Sequence, residues 1–362
     1  MLIERLTVNT FRIPLPFAME ASAAGVMRSF DLVMARVTTK SGATGVGYTV
    51  THEGQGPAVA TIIDRVFRDN LIAHDSRNIE SLWHSMWRRH HYAGRGAPVS
   101  FAIAAVDTAL WDLKGRALGQ PLWQLLGGYD PRVKVYAGNI DLNLGIPELL
   151  EGASKSIEAG HRSVKMRLGK PTLAEDLARV AAMRKHIGND IELMTDANEA
   201  WRIDKAIRAT QRLAEFDLMW LEEPMQPDDF AGYAHLRQKS PVPLAAGENL
   251  HTLAEFRQLI THGGVDFPEP DLTTCGGITP FMKVARLAEA HNLPLISHGA
   301  HQLHLHLLAA CPNAAYLEIH AFGLERFMAH DFEIHRGYAV APDRHGHGIE
   351  FDFDGLAQFR VG

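Results

Sequence analysis

The runs IELMTDAN (191–198), LMWLEEP (218–224) and VPLAAGEN (242–249) decide the fold of this 362-residue chain. Each is a short apolar segment of the kind that makes a buried strand, and each closes on a carboxylate, Asp196, Glu222 or Glu248. The first two acids stand 26 residues apart, and so do the second and third. One strand plus one returning helix has that length, so three successive units would deliver their acids to one rim. The same rhythm extends both ways, through VKVYAGN (133–139), SVKMRLG (163–169), VDFPEPD (265–271), LPLISHG (293–299) and AYLEIH (315–320), with helical patterns at 146–159, 173–187 and 202–215 between strands. Eight parallel strands with crossover helices predict an α/β barrel, either (β/α)8 or a modified (β/α)7β type.

Upstream of the barrel the grammar differs. Residues 2–13 and 31–38 (DLVMARVT) read as strands, and SGATGVG supplies a turn. Helical patterns follow at 56–74, 78–89 and 99–117, the last ending at Gly119 with Pro121 just beyond. Strands followed by helices predict an α+β domain. The expected organisation is a capping domain over 1–125, a catalytic barrel over 126–325, and a strand-and-turn segment, 326–362, that packs back on the cap. Low-complexity stretches and linkers are absent from the sequence.

Bulk properties narrow the partners. The chain is 46% hydrophobic with a formal net charge of −6, which implies a large core and no charge-dense basic face for nucleic acid. Cys275 and Cys311 are too few for a disulfide framework and read as small buried residues in a reduced compartment. The N-terminal stretch MLIERLTVNTFRIPLP lacks the apolar segment of a signal peptide, and no run approaches the roughly 20 apolar residues of a membrane helix. A cytoplasmic protein without membrane partners is expected. Neither GxGxxG after a strand nor GxxxxGK[ST] occurs, which argues against nucleotide cofactors.

The strand ends carry the chemistry. In order they close on Lys165 and Arg167, Asp196, Glu222, Glu248, Asp271, His298 and Glu318. One strand-end acid is ordinarily a solvated loop residue, but ionisable residues at the same phase of seven successive units are not. Three carboxylates facing one another repel unless a cation neutralises them. Oxygen donors without Cys or His suit a hard ion such as Mg²⁺, which would hold a substrate carboxylate and absorb charge as an enediolate forms. Asp271 can accept a hydrogen bond from one nitrogen of His298, fixing the tautomer and leaving the other nitrogen to take or give a proton. His304 and His306, two apart on a helix, face different ways and read as structural; Gly276-Gly277 reads as a sharp turn into a helix.

That order of residues resembles the mandelate racemase branch of the enolase superfamily. The words VKMRLG, DANEAW, WLEEP, GEN, PDLTTCGGIT and ISHGA carry the resemblance, as does AVDTALWDLKGRALGQPLWQLLGG ahead of the barrel. The resemblance implies Asp196, Glu222 and Glu248 as ligands of one Mg²⁺ per subunit (Mn²⁺ can substitute), with Glu223 no more than a supporting residue. It implies His298 and Asp271 as a general acid–base dyad, Glu318 as the group near the substrate carboxylate, able to donate a hydrogen bond if protonated, and a homo-oligomer, commonly an octamer. One position departs from the family word Lys-x-Lys: its second lysine, the base on the opposite substrate face, is Arg167 here. A guanidinium stays protonated and is a poor proton acceptor.

The family implies a small-molecule carboxylate substrate and α-proton abstraction leading to racemisation, β-elimination of water or cycloisomerisation. Arg167 favours dehydration, which one histidine can carry out alone, over racemisation, for which Lys165 is the obvious second base. The words HEGQG, HLHLLAACP and DRHGHGIEF resemble acid-sugar dehydratases of the galactarate/talarate kind, and His52, Arg89 and Asn198 are candidate substrate contacts. The expectation is a lyase acting on an aldaric or aldonic acid under polar capping loops. The alternatives are a racemase or epimerase of a 2-hydroxy acid, a sugar-acid cycloisomerase and, remotely, a non-catalytic binding protein.

Overall fold

The computed structural model describes residues 1–23, 25–92 and 94–361. Its N-terminal part is an antiparallel sheet of β1 (Ile3–Ala21), β2 (Gly25–Thr39) and β3 (Thr44–His52), in the order β1-β2-β3. The helix Val99–Leu118 packs across it, and two glycines of β3 allow that approach: a Cβ on Gly45 or Gly47 would lie 2.2 Å from a helix carbonyl oxygen. The helix ends at Gly119, whose φ of 63° is the left-handed stop that the sequence implies.

β1 and β2 run further than the pattern predicts. Pro14 and Pro16 make 14–21 read as irregular, and the pairing does shift register between Pro14 and Met19. The hairpin nevertheless continues because Leu15, Met19 and Ala21 are buried in the same apolar core as the barrel. Tertiary burial outweighs local propensity here, and the result carries the hairpin end over the barrel.

The barrel strands are β4 (Arg132–Gly138), β5 (Ser163–Arg167), β6 (Glu192–Asp196), β7 (Leu218–Glu222), β8 (Leu244–Ala246), β9 (Phe267–Pro268), β10 (Leu295–Ser297) and β11 (Ala314–His320). They pair in parallel in the order β10-β11-β4-β5-β6-β7-β8-β9. Each of the first seven is followed by a crossover helix and β11 is not, which is the (β/α)7β arrangement. The barrel is nearly closed: among the described residues no ladder joins β9 to β10, where Pro268 and Pro270 withhold backbone donors. Tyr136, Met194, Trp220, Ala245, Ile296 and Tyr316 form an apolar interior layer. The helices Leu173–Ile187 and Leu253–Thr261 start on capping boxes, Thr172 with Glu175 and Thr252 with Glu255, which fix where the rim loops end.

The last residues touch both parts. β12 (Tyr338–Val340) runs antiparallel to β4, while the Arg12 N–H donates to the Phe359 carbonyl at 2.8 Å and a nitrogen of His347 lies 2.7 Å from the Val46 carbonyl. Cys275 and Cys311 are buried and free. Among the described residues no helix is long and apolar enough to cross a membrane.

Candidate active site

Strand register assembles the rim. Arg167 is the Cα partner of Asp196, and Asp196 of Glu222, so three strand-end residues form one row. Glu248 lies just beyond β8. One carboxylate oxygen from each of Asp196, Glu222 and Glu248 lies within 4.8 Å of the others. Lys165 Nζ, fully buried, is 2.5 Å from Glu222 Oε1, 2.9 Å from Glu318 Oε1 and 3.6 Å from Asp196 Oδ2. Arg167 pairs with Asp196, and its backbone N–H donates to Asp141 Oδ1 at 2.9 Å.

This cluster is short of positive charge. Asp196, Glu222, Glu248 and Glu318 are four carboxylates, against which Lys165 and Arg167 supply two permanent cations. Burial and the neighbouring Asp196 push the Glu222 carboxyl well above the usual carboxylate range. Burial also opposes the charge on Asp196, but Arg167 and Lys165 outweigh it and hold that group low. Glu248 Oε2 is buried without a hydrogen-bond partner. An excess of carboxylates over permanent cations, a Glu248 oxygen without a hydrogen bond and an all-oxygen donor set together fit a hard divalent cation. Glu223 turns away with φ of 32° and accepts from Asn249 Nδ2 at 2.6 Å.

His298 stands beside the trio. Its Nδ1 lies 3.0 Å from Asp271 Oδ2, an ionised acceptor, so Nδ1 carries the hydrogen and Nε2 is left facing Glu248 Oε2 at 3.3 Å. Burial lowers the imidazole pKa, but Glu248, Glu318 and Asp271 outweigh burial and raise it to about 10. Glu318 Oε2 accepts from the Gly299 N–H at 2.9 Å. Burial would raise the Glu318 pKa, but Lys165 and His298 hold it well below the usual range. The protonated, donating form of Glu318 is therefore disfavoured in this arrangement, and the residue is a hydrogen-bond acceptor. Lys165, wrapped by carboxylates, stays protonated against the cost of burial and does not line the cavity.

A cavity of about 370 Å³ opens over these groups. Asn198 and His52 line it, His52 at the exposed rim. The Asn198 N–H donates to Asp196 Oδ1 at 2.7 Å, and its Oδ1 accepts from the Ala23 N–H at 3.0 Å. Ser22 adds hydrogen bonds of 2.6 and 2.5 Å to the carbonyls of Ala197 and Asn198, which latches the β1 end to the barrel.

Arg89 is a correction. It lies on the helix Ile79–His90, which turns Ile79, Leu82 and Met86 into the N-terminal core and its polar end outward, and its guanidinium donates to Asn70 Oδ1 at 3.0 Å, away from the cavity. The expected polar cap is found only in part: Ser29, Thr51, His52 and Gln55 reach the cavity, but Met27, Phe30, Val50, Phe101, Ile140 and Phe322 give it an apolar side, and Arg167 is the one Lys or Arg among the described lining residues.

The structure gives His304, which reads as structural in the sequence, a specific task, and it adds His320, which the sequence did not single out. His304 Nε2 accepts from the Leu272 N–H at 2.9 Å and Nδ1–H donates to the Gly299 carbonyl at 2.8 Å, tying the loop that carries Asp271 to the loop that carries His298. His320 lines the cavity beside His298. With 20 histidines in the chain, no local signal separates His320 from the rest.

The family "Mandelate racemase / muconate lactonizing enzyme, N-terminal domain" matches residues 4–127, and "Enolase C-terminal domain-like" matches 148–355. The chain belongs to the enolase superfamily. It is 48% identical over 361 residues to a 3,6-anhydro-α-L-galactonate cycloisomerase of Streptomyces coelicolor, covering 100% of both chains. A crystal structure of a racemase from Streptomyces coelicolor with bound magnesium superposes with a TM-score of 0.97 at 48% identity, covering 99% of this chain and 100% of that one. L-talarate dehydratase from Polaromonas, complexed with Mg and L-glucarate, superposes with a TM-score of 0.94 at 34% identity, covering 100% and 98%. The chain is thus an enzyme of a superfamily branch whose members act on acid sugars, and its relatives include both dehydratases and cycloisomerases.

Proposed function

We propose that this enzyme is a Mg²⁺-dependent cycloisomerase of an anhydro sugar acid of the 3,6-anhydrogalactonate kind. The observation that carries the reading is the full-length 48% identity to such a cycloisomerase, well above the 33% and 34% shared with the dehydratases. The cavity supports it. The apolar side of the cavity suits an ether-bridged ring better than an open polyol, and among the described lining residues the one Lys or Arg, Arg167, is already paired with Asp196, which leaves none for the second carboxylate of an aldaric acid.

In the proposed site Asp196, Glu222 and Glu248 hold one Mg²⁺, which supplies positive charge for the substrate carboxylate and for the enediolate that develops from it. His298 Nε2 takes the proton from C2, while Asp271 holds the tautomer and steadies the imidazolium. With Glu248 committed to the cation, its pull on His298 weakens and the imidazole becomes a competent base near neutral pH. The C2–H electron pair becomes the C2=C3 bond, the C3–O bond breaks, and the departing ring oxygen is protonated by the His298 imidazolium. Ring opening frees the C6 hydroxyl, and the enol tautomerises to a 2-keto-3-deoxy acid. Every atom is retained, so the reaction is an isomerisation. Arg167, which stands where a second base would be needed, is a permanent cation paired with Asp196; this favours elimination over racemisation.

A second reading, dehydration of an aldonic or aldaric acid, uses the same dyad with a hydroxyl as leaving group. It draws on the likeness to L-talarate dehydratase. Incubation with Mg²⁺ and 3,6-anhydro-L-galactonate, followed by mass spectrometry and NMR in D₂O, separates the readings. A keto acid of unchanged mass is expected. Turnover confined to open-chain acids with loss of water would move the enzyme to the dehydratases, and epimerisation alone would move it to the racemases.

A further inference from the structure

The proposed mechanism leaves one buried group in the cavity without employment. His320, at the end of β11, is 7% exposed and lines the cavity. A ring nitrogen of His320, one of His298 and a carboxylate oxygen of Glu318 lie within 4.8 Å of one another. Among the described residues its ring makes no hydrogen bond; its contacts are edge-on packing against His298 at 5.2 Å and Phe322 at 4.1 Å between ring centroids. Phe322 in turn stacks on Phe30 at 5.0 Å. The cavity therefore runs from the carboxylate trio, past His298, past His320, to a pair of stacked aromatic rings.

The other polar side chains nearby are committed. His301 Nδ1 accepts from the His320 backbone N–H at 3.2 Å, and its ring packs edge-on against Phe332 at 5.7 Å between centroids. Glu318 is held by Lys165 and the Gly299 N–H. Because Lys165 neutralises Glu318, the three converging atoms of His298, Glu318 and His320 lack the negative charge that a second cation would need. An imidazole this buried lies in its neutral form, since burial pushes its pKa down to about 3. Neutral imidazole offers one N–H and one lone pair. Its complement is neither a carboxylate nor a hydrocarbon but a hydroxyl, which both donates and accepts.

We propose that His320 is a substrate-contacting residue that hydrogen-bonds a hydroxyl on the sugar-acid chain beyond the α-carbon and so selects polyhydroxylated acids over short 2-hydroxy acids. The inference rests on the sugar-acid reading above, which it deepens by naming the group that recognises the distal hydroxyls.

The test is calorimetric binding to the Mg²⁺-loaded enzyme, with glycolate as the short acid and galactonate as the long one, for the unmodified protein, His320→Leu and His320→Gln. Turnover of 3,6-anhydro-L-galactonate is followed in parallel. The unmodified enzyme is expected to bind galactonate more tightly than glycolate. His320→Leu is expected to weaken galactonate about tenfold with glycolate unchanged, and His320→Gln to restore most of the loss. Equal weakening of both acids would make His320 a structural residue and overturn the proposal, as would unchanged binding of both or equal affinities in the unmodified protein. Discrimination that depends on His320 without any turnover of the anhydro acid would uphold the subsite while sinking the cycloisomerase reading. Failure of the unmodified protein to bind galactonate would overturn the subsite, while turnover of the anhydro acid alone decides the cycloisomerase reading.

Discussion

Replacing Asp271 with asparagine should silence the enzyme while leaving its fold and substrate binding in place. The reason lies in what holds the Asp271 carboxylate. Oδ1 accepts from the Thr273 N–H at 2.7 Å and from Thr273 Oγ1 at 2.8 Å, while Oδ2 receives His298 Nδ1 at 3.0 Å. An amide placed there keeps its oxygen toward the two Thr273 donors, because the reverse orientation would set N–H against N–H. Its NH₂ then faces His298 and can only donate, so Nδ1 must accept and the proton moves to Nε2. The nitrogen that faces the reacting carbon then has no lone pair to offer. A positioned general base contributes about 10²- to 10⁴-fold, so kcat should fall by that range while KM changes little. Steady-state turnover, with α-proton exchange in D₂O as a second readout, measures the loss; His304 still clamps the two loops, so circular dichroism should be unaltered. Retention of more than about a tenth of kcat would mean that the tautomer of His298 does not matter and that the base is elsewhere.

Three further outcomes follow from the same geometry. Glu248→Gln removes a charge from the trio and fills a ligand position with an amide, so Mg²⁺ affinity measured by calorimetry should fall by at least about tenfold; an unchanged Kd would remove Glu248 from the metal site. Arg167→Lys places a group that can lose its proton on the opposite face, and deuterium incorporation at the α-carbon should rise relative to ring opening; no change would mean that position 167 does not face the α-carbon. Asp107, fully buried, accepts from the Thr279 N–H at 2.8 Å and from its hydroxyl at 2.7 Å, and burial raises its pKa to about 7. The folded state thus keeps a proton that the unfolded chain releases near pH 4, so stability falls as pH rises from about 4 to 7. Asp107→Asn should abolish that slope, worth up to about 4 kcal/mol over three pH units, and parallel denaturation curves for the two proteins across that range would refute it.

The convergence of Asp196, Glu222 and Glu248 could be read from the sequence because barrel geometry converts equal spacing into common placement: two intervals of 26 residues become one row through the register of β6 and β7 and the loop after β8. His298 and Asp271 were legible for the same reason. The run 14–21 was not, since its prolines argue locally against a strand and only burial on the barrel core explains why the hairpin continues. The placement of Arg89 was not legible, because which way the polar end of its helix points depends on Ile79, Leu82 and Met86 choosing the core. The wall was invisible because Met27 and Phe30 of β2, Phe101, Ile140 and Phe322 come from four separated segments and meet only in space. His304 and His320 needed coordinates, since a clamp and a free ring differ in their partners and not in their neighbours along the chain.

Cycloisomerisation and dehydration differ less than their names imply, and that locates the specificity. Both remove the α-proton and expel an oxygen from the β-carbon; in one the oxygen remains tethered through the ring and in the other it leaves as water. The catalytic groups see the same two bonds in either case, so the trio, Asp271 and His298 cannot discriminate. Discrimination falls to groups that touch the rest of the molecule. Turning an open polyol toward Phe30 and Phe322 would strand hydroxyls without partners, at about 1–3 kcal/mol for each one buried. An anhydro ring has already converted two of those hydroxyls into one ether and presents CH₂ and CH edges instead. A single stranded hydroxyl is enough for roughly 5- to 150-fold preference, so the choice between the two reactions is made by the aromatic wall and by whatever His320 holds rather than by the residues that perform the chemistry.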